Sequence, residues 1–564
     1  MERPILIDTF TPKQKLLRIN KPNRVWDIPH SNKPILVDIL NRNQKLQLNF
    51  LLAIWSLTLV LFYTWWCWPS HISNPGLFLI NTFVISWPLL MPGYAFYFVR
   101  RMKKPNFTLG VPKDWRVAMI VTKAPSEPWI VVKRTLTGML NEKSHPHDTW
   151  LADEDPTDEV RTWCSEHGVK ISCRKGIPEY NNLDFPRRMR CKEGNLAYFY
   201  DTWGYRDYDF VAQFDSDHMP LPGYLRKALV AFHNPDIGYV TAPSICDVNA
   251  KESWVARARL WVEAILHGTM QAGCHGDWAP MCIGSHFTVR TTALKDIGGL
   301  GPELAEDHST TFLFCAAGWK GVHAIDALAS GRGPESFKDG MVQELQWSRS
   351  LVILFLTLTP KHIHQFPLKL AFQFLFSQLW YFLYTIALLG ALLISPIALV
   401  TGQSFMNINF WDFLIASTIP SMFCVLVVFW LKHQKLLRPV NAKIISWEAA
   451  LFPLARWPIV LWAILDAFKI TYFRKRRIWK VTPKKKEDND RIPMRFCWPY
   501  LSIIITCLSI ELVFHPNGST SYYYVFNFMN CLVYAGILGL IYAFNKIEAA
   551  KQKQRKIAQA LQVT

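Results

Sequence analysis

The stretch "YDFVAQFDSDHMPLPGYL", residues 208–225, leads from an apolar segment directly into two aspartates, Asp215 and Asp217. The run 210–214 is typical of a buried strand, so the two carboxylates follow its carboxyl end. Further β-rich segments that alternate with helical stretches are 116–124, 149–154 and 237–244. This alternation predicts a mostly parallel sheet with helices on both faces, where ligands bind beyond the carboxyl ends of the strands.

Asp153 also follows one of these predicted strands, so three carboxylates are expected at the same edge of the sheet. Two carboxylates at positions i and i+2 suit a hard divalent cation that also holds phosphate oxygens, as Mg²⁺ does with few protein ligands. Aspartates are equally common in turns and at helix N-caps. The spacing alone therefore leaves a metal site and a structural turn both open.

The composition indicates a membrane protein, because 50% of the 564 residues are hydrophobic and 14% are aromatic. Crossing a hydrocarbon core takes about 20 largely apolar residues. Seven runs approach this length: 48–68, 77–99, 371–400, 411–431, 445–470, 497–514 and 523–544. The first has no small-residue cleavage site, so we interpret it as a retained span.

The basic residues that give the net charge of +19 are distributed as expected for a membrane protein, so this charge does not indicate a nucleic-acid partner. Lys and Arg are absent from 69–76, 401–410 and 515–521, whereas basic clusters flank the other ends of the runs. This positive-inside pattern places the N-terminal arm, the middle section and the C-terminus in the cytoplasm, which requires an even number of crossings.

One of the seven runs, 445–470, must then stay on the cytoplasmic face. It carries Glu448, Arg456 and Asp466 and has basic loops on both sides, so we assign it to an amphipathic helix at the membrane surface. Two spans therefore precede the middle section and four follow it. The predicted segments are a basic arm (1–47), two spans (48–99), a cytosolic enzyme domain (100–350), interfacial helices and two spans (351–470), a cytoplasmic loop (471–496), two spans (497–544) and a basic tail (545–564).

Five further motifs follow one another in and after the predicted sheet. They are "LADEDP" (151–156), "RCKEGNLAYFYD" (190–201), "GSHFTVRTTALKDIGG" (284–299), "LAEDHSTTFLFCAAGWK" (304–320) and "GPESFKDGMVQELQWSRS" (333–350). Together with the two aspartates, they resemble the processive family 2 glycosyltransferases, and above all the bacterial cellulose synthase catalytic subunit. The resemblance implies a GT-A-like nucleotide-sugar-binding α/β domain inserted in an α-helical transmembrane region.

The resemblance also implies how a nucleotide sugar is held. Asp215 and Asp217 would bind Mg²⁺ or Mn²⁺ against the diphosphate, which makes the diphosphate a better leaving group. Asp153 and Lys192 would contact the uridine and the diphosphate.

A further match lies in the last cytoplasmic loop, where "WKVTPK" (479–484) is similar to the family's F-x-V-T-x-K gating loop. By this similarity Thr482 and Lys484 would close over the bound nucleotide. The alternative is a basic tether beside the membrane, which the neighbouring "RKRR" also forms.

The acceptor hydroxyl needs a base, and the resemblance assigns that role to Asp307, next to Glu306. A neighbouring carboxylate can raise the pKa of Asp307 toward a useful value. The alternative is that Asp307 caps the helix that follows it.

Four more residues would bind the acceptor sugar by similarity. Gly284 and Ser285 lie in the loop where the terminal sugar of the growing chain is expected, and Gln343 precedes Trp347 by one helical turn. An indole face suits the apolar side of a pyranose. The alternative for Trp347 is an anchor at the membrane interface.

Departures from the family pattern concern the nucleotide and acceptor sites. Gln346 stands where the family has an arginine that helps to bind the diphosphate, so either Arg349 replaces it or the nucleotide site differs. The turn "TKAPSEP" and the loop "MCIGSH" also differ from the family pattern.

The predicted function is a processive, inverting polysaccharide synthase of the plasma (inner) membrane that polymerises glucose from UDP-glucose into a β-glucan such as cellulose and translocates it. Its partners would be a UDP-sugar, the growing polysaccharide, the bilayer and accessory or identical subunits. One alternative adds one or a few sugars to a membrane lipid, and another is an inert transporter or scaffold. Only a short basic tail follows residue 544, so a cyclic di-GMP-binding barrel is not expected there.

Overall fold

The structure is a computed structural model that describes residues 33–303, 305–473, 492–515, 518 and 520–561. Its first elements are β1 (Leu36–Asp38), α1 (Arg42–Trp66), α2 (Pro75–Arg100) and β2 (Lys103–Pro105). Strand β1 precedes the helix pair and β2 follows it, and the two strands pair in antiparallel fashion. The two long helices therefore form a hairpin in which the start of α1 and the end of α2 lie close together.

An α/β domain follows this hairpin. Its strands are β3 (Val117–Lys123), β4 (Asp148–Asp153), β5 (Lys170–Ser172), β6 (Phe210–Phe214), β7 (Met219–Pro220), β8 (Ile237–Thr241), β9 (Ser244–Ile245), β10 (His286–Arg290), β11 (Lys320–His323) and β12 (Ala329–Ser330). Seven of them form one sheet in the order β11-β8-β10-β6-β3-β4-β5. Every residue of β3 and β6 is buried, as the continuous apolar runs predict.

Helices cover this sheet and lead the chain back to the apolar helices. Those of the domain are α3 (Trp129–Leu140), α4 (Asp158–Glu166), α5 (Lys192–Phe199), α6 (Tyr205–Asp207), α7 (Tyr224–Leu229), α8 (Trp254–Val262), α9 (Gln271–Gly273), α10 (Thr291–Asp296), α11 (Glu306–Ala316), α12 (Phe337–Thr357) and α13 (Thr359–His362). After them come α14 (Leu368–Thr401), α15 (Phe410–His433), α16 (Trp447–Phe473), α17 (Met494–Val513) and α18 (Ser521–Leu561).

The sheet confirms the predicted α/β domain, with one addition. All four predicted strands are present as β3, β4, β6 and β8, but β10 runs antiparallel to its neighbours β6 and β8. Its register pairs His286 with Phe214, so the start of β10 lies beside the end of β6. The residues just before β10 therefore meet the residues just after β6, at the edge where the aspartates lie.

Seven helices in the described part of the chain are long and apolar enough to cross a membrane, by length and composition, and each overlaps one of the predicted runs. Together they indicate a multi-pass membrane protein. The arrangement of two spans before the domain and four after it stays a prediction, because it depends on whether α16 crosses the bilayer.

Helix α16 is the most deeply packed of these seven, with 61% of its most apolar window buried. The three charges that set it apart in sequence all have partners in helices α8 and α12 of the α/β domain. These ion pairs are Glu448 with Arg257 at 3.2 Å, Arg456 with Glu344 at 3.3 Å, and Asp466 with Arg349 at 3.0 Å. Helix α16 is therefore fixed to the α/β domain by charge as well as by apolar packing.

Candidate active site

The two aspartates of the opening stretch lie immediately after β6. The Asp215 amide donates to the Ser285 carbonyl at 2.8 Å, which joins the end of β6 to the loop before β10. Asp217 is almost fully buried, and its Oδ1 lies 3.2 Å from Nδ1 of His218.

One ligand atom from each of Asp215, Asp217 and His218 lies within 4.8 Å of the others, close enough for one metal ion. Two carboxylates suit Mg²⁺ or Mn²⁺, and an imidazole nitrogen is a ligand that transition metals accept more readily than Mg²⁺. The donor set therefore fits a divalent cation of either kind, with His218 as a residue that the sequence analysis did not single out.

Lys192 connects three of the predicted motifs. Its Nζ donates to Asp215 Oδ1 at 2.7 Å and to the Gly284 carbonyl, and it lies 3.9 Å from Glu306 Oε1. Burial lowers the pKa of Lys192, but the charges of Asp215 and Glu306 outweigh burial and raise it. Lys192 therefore keeps its charge at the centre of the site.

The turn that carries Lys192 needs a glycine at position 194. A Cβ on Gly194 would lie 2.1 Å from the Arg188 carbonyl oxygen and 2.3 Å from Nη1 of Arg174. The next residue, Asn195, donates through Nδ2 to the Ala152 carbonyl at 2.8 Å. The Lys-Glu-Gly-Asn-Leu motif is thus a packed turn against the end of β4.

Glu306 and Asp307 form the first turn of α11. Asp307 accepts two amide hydrogens, from Gly284 at 2.7 Å and from His308 at 2.8 Å. Burial raises the pKa of both carboxyls. Asp307 is not the N-cap residue of α11, as the cap alternative expected, because the N-cap residue is Ala305. Asp307 lies inside the helix and accepts a hydrogen bond from the loop at Gly284.

Gln343 and Trp347 lie one turn apart on α12, and both contact an arginine that sequence reasoning missed. Arg259 of α8 donates to Gln343 Oε1 at 2.8 Å, and its guanidinium carbon lies 4.2 Å from the centroid of the Trp347 ring. No spacing in the sequence connects residue 259 with α12, because the contact depends on how α8 and α12 pack.

These residues line one cavity of about 670 Å³. Of the predicted site residues, it brings together Lys192, Asp215, Asp217, Gly284, Ser285, Glu306, Asp307, Gln343 and Trp347. The cavity extends to Met91 and Tyr94 of α2 and to Phe376, Trp380 and Tyr381 of α14. It is therefore continuous from the carboxylates to the apolar helices.

Other predicted site residues lie elsewhere. Asp153 is fully buried behind the cavity wall, where it pairs with Lys123 at 3.0 Å. Arg349 pairs with Asp466 and is not among the described residues that line the cavity, which disagrees with its predicted role as a replacement for the arginine missing at position 346. Thr482 and Lys484 lie outside the described residues.

The sequence of residues 210–538 matches the family described as Glycosyl transferase family group 2. This match covers more than half of the chain, which therefore belongs to that family and confirms the resemblance. Family membership agrees with the mixed α/β domain, whose fold class was predicted as GT-A-like.

Individual relatives are only distantly similar to this chain in sequence. The UDP-forming cellulose synthase catalytic subunit of Xanthomonas axonopodis pv. citri is 25% identical over 288 residues, which are 49% of this chain and 37% of that protein. Cellulose synthase 1 of Komagataeibacter xylinus is 25% identical over 254 residues, 43% of this chain and 15% of that protein. A solved mannosyltransferase from Pyrobaculum calidifontis, in complex with GDP-Man and Mn²⁺, is 14% identical with a TM-score of 0.47, covering 71% of this chain and 99% of that one. The matched segment is thus less than half of either cellulose synthase.

Proposed function

We propose that the protein is a processive, inverting glycosyltransferase that polymerises glucose from UDP-glucose into a β-glucan such as cellulose and passes the product across the plasma membrane. The observation that carries this proposal is the continuity of the cavity. It joins the Asp215 and Asp307 carboxylates to aromatic side chains of α2 and α14. A polymer made at the carboxylates would thus enter directly between apolar helices.

The residues of the cavity divide among three tasks. Asp215 and Asp217 would hold a divalent cation, which when bound neutralises charge on the leaving diphosphate. Lys192 keeps Asp215 in place through its 2.7 Å ion pair. Asp307 would take the proton of the acceptor hydroxyl, since the two amide hydrogens fix its carboxylate beside the Gly284–Ser285 loop.

Inversion follows from a single displacement. The acceptor oxygen attacks the anomeric carbon from the side opposite the diphosphate, so the base and the leaving group act on opposite faces of the donor sugar. The site meets this requirement, because Asp215 and Asp217 would hold the cation at the diphosphate and Asp307 would act separately as the base for the acceptor.

The topology of the proposal follows the charge pattern. With the α/β domain in the cytoplasm, nucleotide sugars reach the cavity from the cytosol, and the product leaves along α2 and α14. Aromatic side chains at this boundary, among them Tyr94, Phe376 and Trp380, offer faces on which sugar rings can stack.

A second candidate keeps the transfer chemistry and changes the acceptor to a membrane lipid. One observation favours it: the Arg259 guanidinium covers a face of the Trp347 ring, 4.2 Å from its centroid. A sugar could not stack on that face unless Arg259 moved. A short apolar acceptor arriving from the membrane would not need the face.

The test is transfer by the purified protein in proteoliposomes, with Mg²⁺ or Mn²⁺ and each of several UDP-sugars. UDP release and the mass of the product are measured, and the product is digested with linkage-specific glycosidases. A high-mass product that a β-glucanase degrades is expected. A chloroform-soluble product would favour the lipid acceptor, and the absence of transfer with every donor, with and without membrane lipids, would refute the proposal.

A further inference from the structure

Arginine side chains line the cavity at four described positions, and three of them are neutralised by carboxylates. The pairs are Arg259 with Glu263 at 3.0 Å, Arg332 with Glu335 at 2.7 Å and Arg456 with Glu344 at 3.3 Å. The fourth, Arg190, is exposed and has no hydrogen bond, ion pair or ring contact with any residue that the structure describes. Its charge is therefore available to a ligand of the cavity.

The backbone at Arg190 is held in an unusual conformation, with φ at +51°. For a residue with a side chain this left-handed region costs on the order of 1 kcal/mol, and it persists only where surrounding contacts impose it. Such positions concentrate at functional sites. The contacts of the surrounding turn must therefore hold Arg190 in this conformation.

Two buried side chains build that turn. Arg174, only 1% exposed, donates to the carbonyls of Arg188, at 2.6 Å, and Cys191, at 3.3 Å. From the other side, the Glu193 carboxylate accepts the amides of Arg187 at 2.7 Å and Arg188 at 3.2 Å. The residues on both sides of Arg190 are therefore fixed before any ligand arrives.

The turn also places Arg190 in the wall of the same cavity as the carboxylates Asp215 and Asp217. It lies two residues before Lys192, whose Nζ contacts Asp215 at 2.7 Å and whose charge is already balanced there. Position 346 holds a neutral glutamine, and Arg349 pairs with Asp466. A diphosphate bound at Asp215 and Asp217 would therefore find its free guanidinium at Arg190.

We propose that Arg190 binds the diphosphate of the donor nucleotide and stabilises it as the leaving group, taking over the task of the arginine that is missing at position 346. This inference rests on the proposed function. As the acceptor oxygen bonds to the anomeric carbon, the bond from that carbon to the β-phosphate oxygen breaks, and its electron pair stays on the phosphate. The acceptor proton passes to Asp307, and Arg190 donates hydrogen bonds to the additional negative charge.

The test is ligand binding to the full-length protein in detergent, measured by calorimetry with UDP, GDP, inorganic pyrophosphate and uridine, each with Mg²⁺. Arg190→Gln removes the charge, and Arg190→Lys keeps it on the same backbone. Arg187→Gln is the matched control, because Arg187 has a positive φ in the same turn but its guanidinium pairs with Asp201 at 2.7 Å, away from the cavity.

We expect Arg190→Gln to weaken the binding of the nucleoside diphosphate and of pyrophosphate about tenfold, the usual effect of one charge-assisted hydrogen bond. Uridine, which has no phosphate, should bind equally well to both proteins. Arg190→Lys should lose less affinity, and Arg187→Gln should match the wild type.

Unchanged diphosphate affinity in Arg190→Gln would overturn the inference and leave the proposed function intact. A wild-type protein that binds neither nucleoside diphosphate nor pyrophosphate would overturn both. If Arg190→Gln also lost uridine binding, Arg190→Lys would decide: retained diphosphate affinity supports the inference, and an equal loss refutes it.

Discussion

Replacing Asp307 by Asn tests the central chemical assignment. The side chain keeps its size but loses its ability to accept a proton from the acceptor hydroxyl. General base catalysis contributes about 10²- to 10⁴-fold to a rate. This corresponds to roughly 3–5.5 kcal/mol of transition-state stabilisation. We expect kcat to fall within that range.

The contacts of Asp307 predict a smaller, separate cost to stability. Its two oxygens accept two amide hydrogens, from Gly284 and His308. An Asn side chain has one oxygen and one NH₂ group, so one of these amides would face another donor. A buried donor left without an acceptor costs about 1–3 kcal/mol. The melting temperature should therefore fall, although the protein should still fold.

The assay is UDP release at saturating donor sugar, together with UDP affinity and melting temperature. Binding of UDP should change by less than about twofold, because the lost function concerns the acceptor. Asp155→Asn is the matched control, since Asp155 is an exposed aspartate that does not line the cavity and pairs with Lys175 at 2.7 Å on the surface.

Glu306→Gln distinguishes the two carboxylates of α11. A kcat in Asp307→Asn within tenfold of the wild type, combined with a large loss in Glu306→Gln, would refute Asp307 as the base. Full activity in both variants would show that neither carboxylate of α11 is the base.

Four further predictions follow from the site and its supports. Asp217→Asn should abolish the stimulation of transfer by Mg²⁺ or Mn²⁺ in a metal titration, and it should also lower the melting temperature, because it removes the carboxylate beside the buried His218. Burial raises the pKa of Asp307, and the base must be deprotonated to act. As the pH is lowered, kcat/KM should therefore begin to fall at a higher pH than an ordinary aspartate would give, and a flat profile down to pH 4 would contradict this. Gly284→Ala should slow transfer, because the added Cβ would lie 3.2 Å from Asp307 Oδ2. An unchanged kcat would show that the loop moves aside without displacing Asp307. Glu344→Ala should lower the melting temperature by leaving Arg456 buried and unpaired, at a cost of about 3–5 kcal/mol, whereas Glu179→Ala at the exposed surface should not.

Local patterns in the sequence predicted much of the architecture. The apolar run before Asp215 is the strand β6, and each of the seven apolar runs overlaps a long helix. Strand and helix periodicity and the length needed to span a bilayer are properties of adjacent residues, so they can be recognised without a fold. The order of the motifs also identified the family.

Contacts between distant segments could not be predicted in the same way. Strand β10 was not predicted, and its antiparallel pairing with β6 brings Ser285 to Asp215. The charges on 445–470 predicted a helix at the membrane surface, but whether such charges meet water or protein depends on packing. The structure gives Glu448, Arg456 and Asp466 each a partner in α8 or α12 of the α/β domain.

The sequence by itself determined the class of the domain, the positions of its acidic motifs and the apolar helices, because these depend on neighbouring residues. The tertiary structure decided which charges are free. It pairs Arg349 with Asp466, buries Asp153 behind the cavity wall and leaves Arg190 without a partner among the described residues. The physical reason is that electrostatic pairing acts over a few ångströms in space, and the chain brings those atoms together from positions that are far apart in sequence.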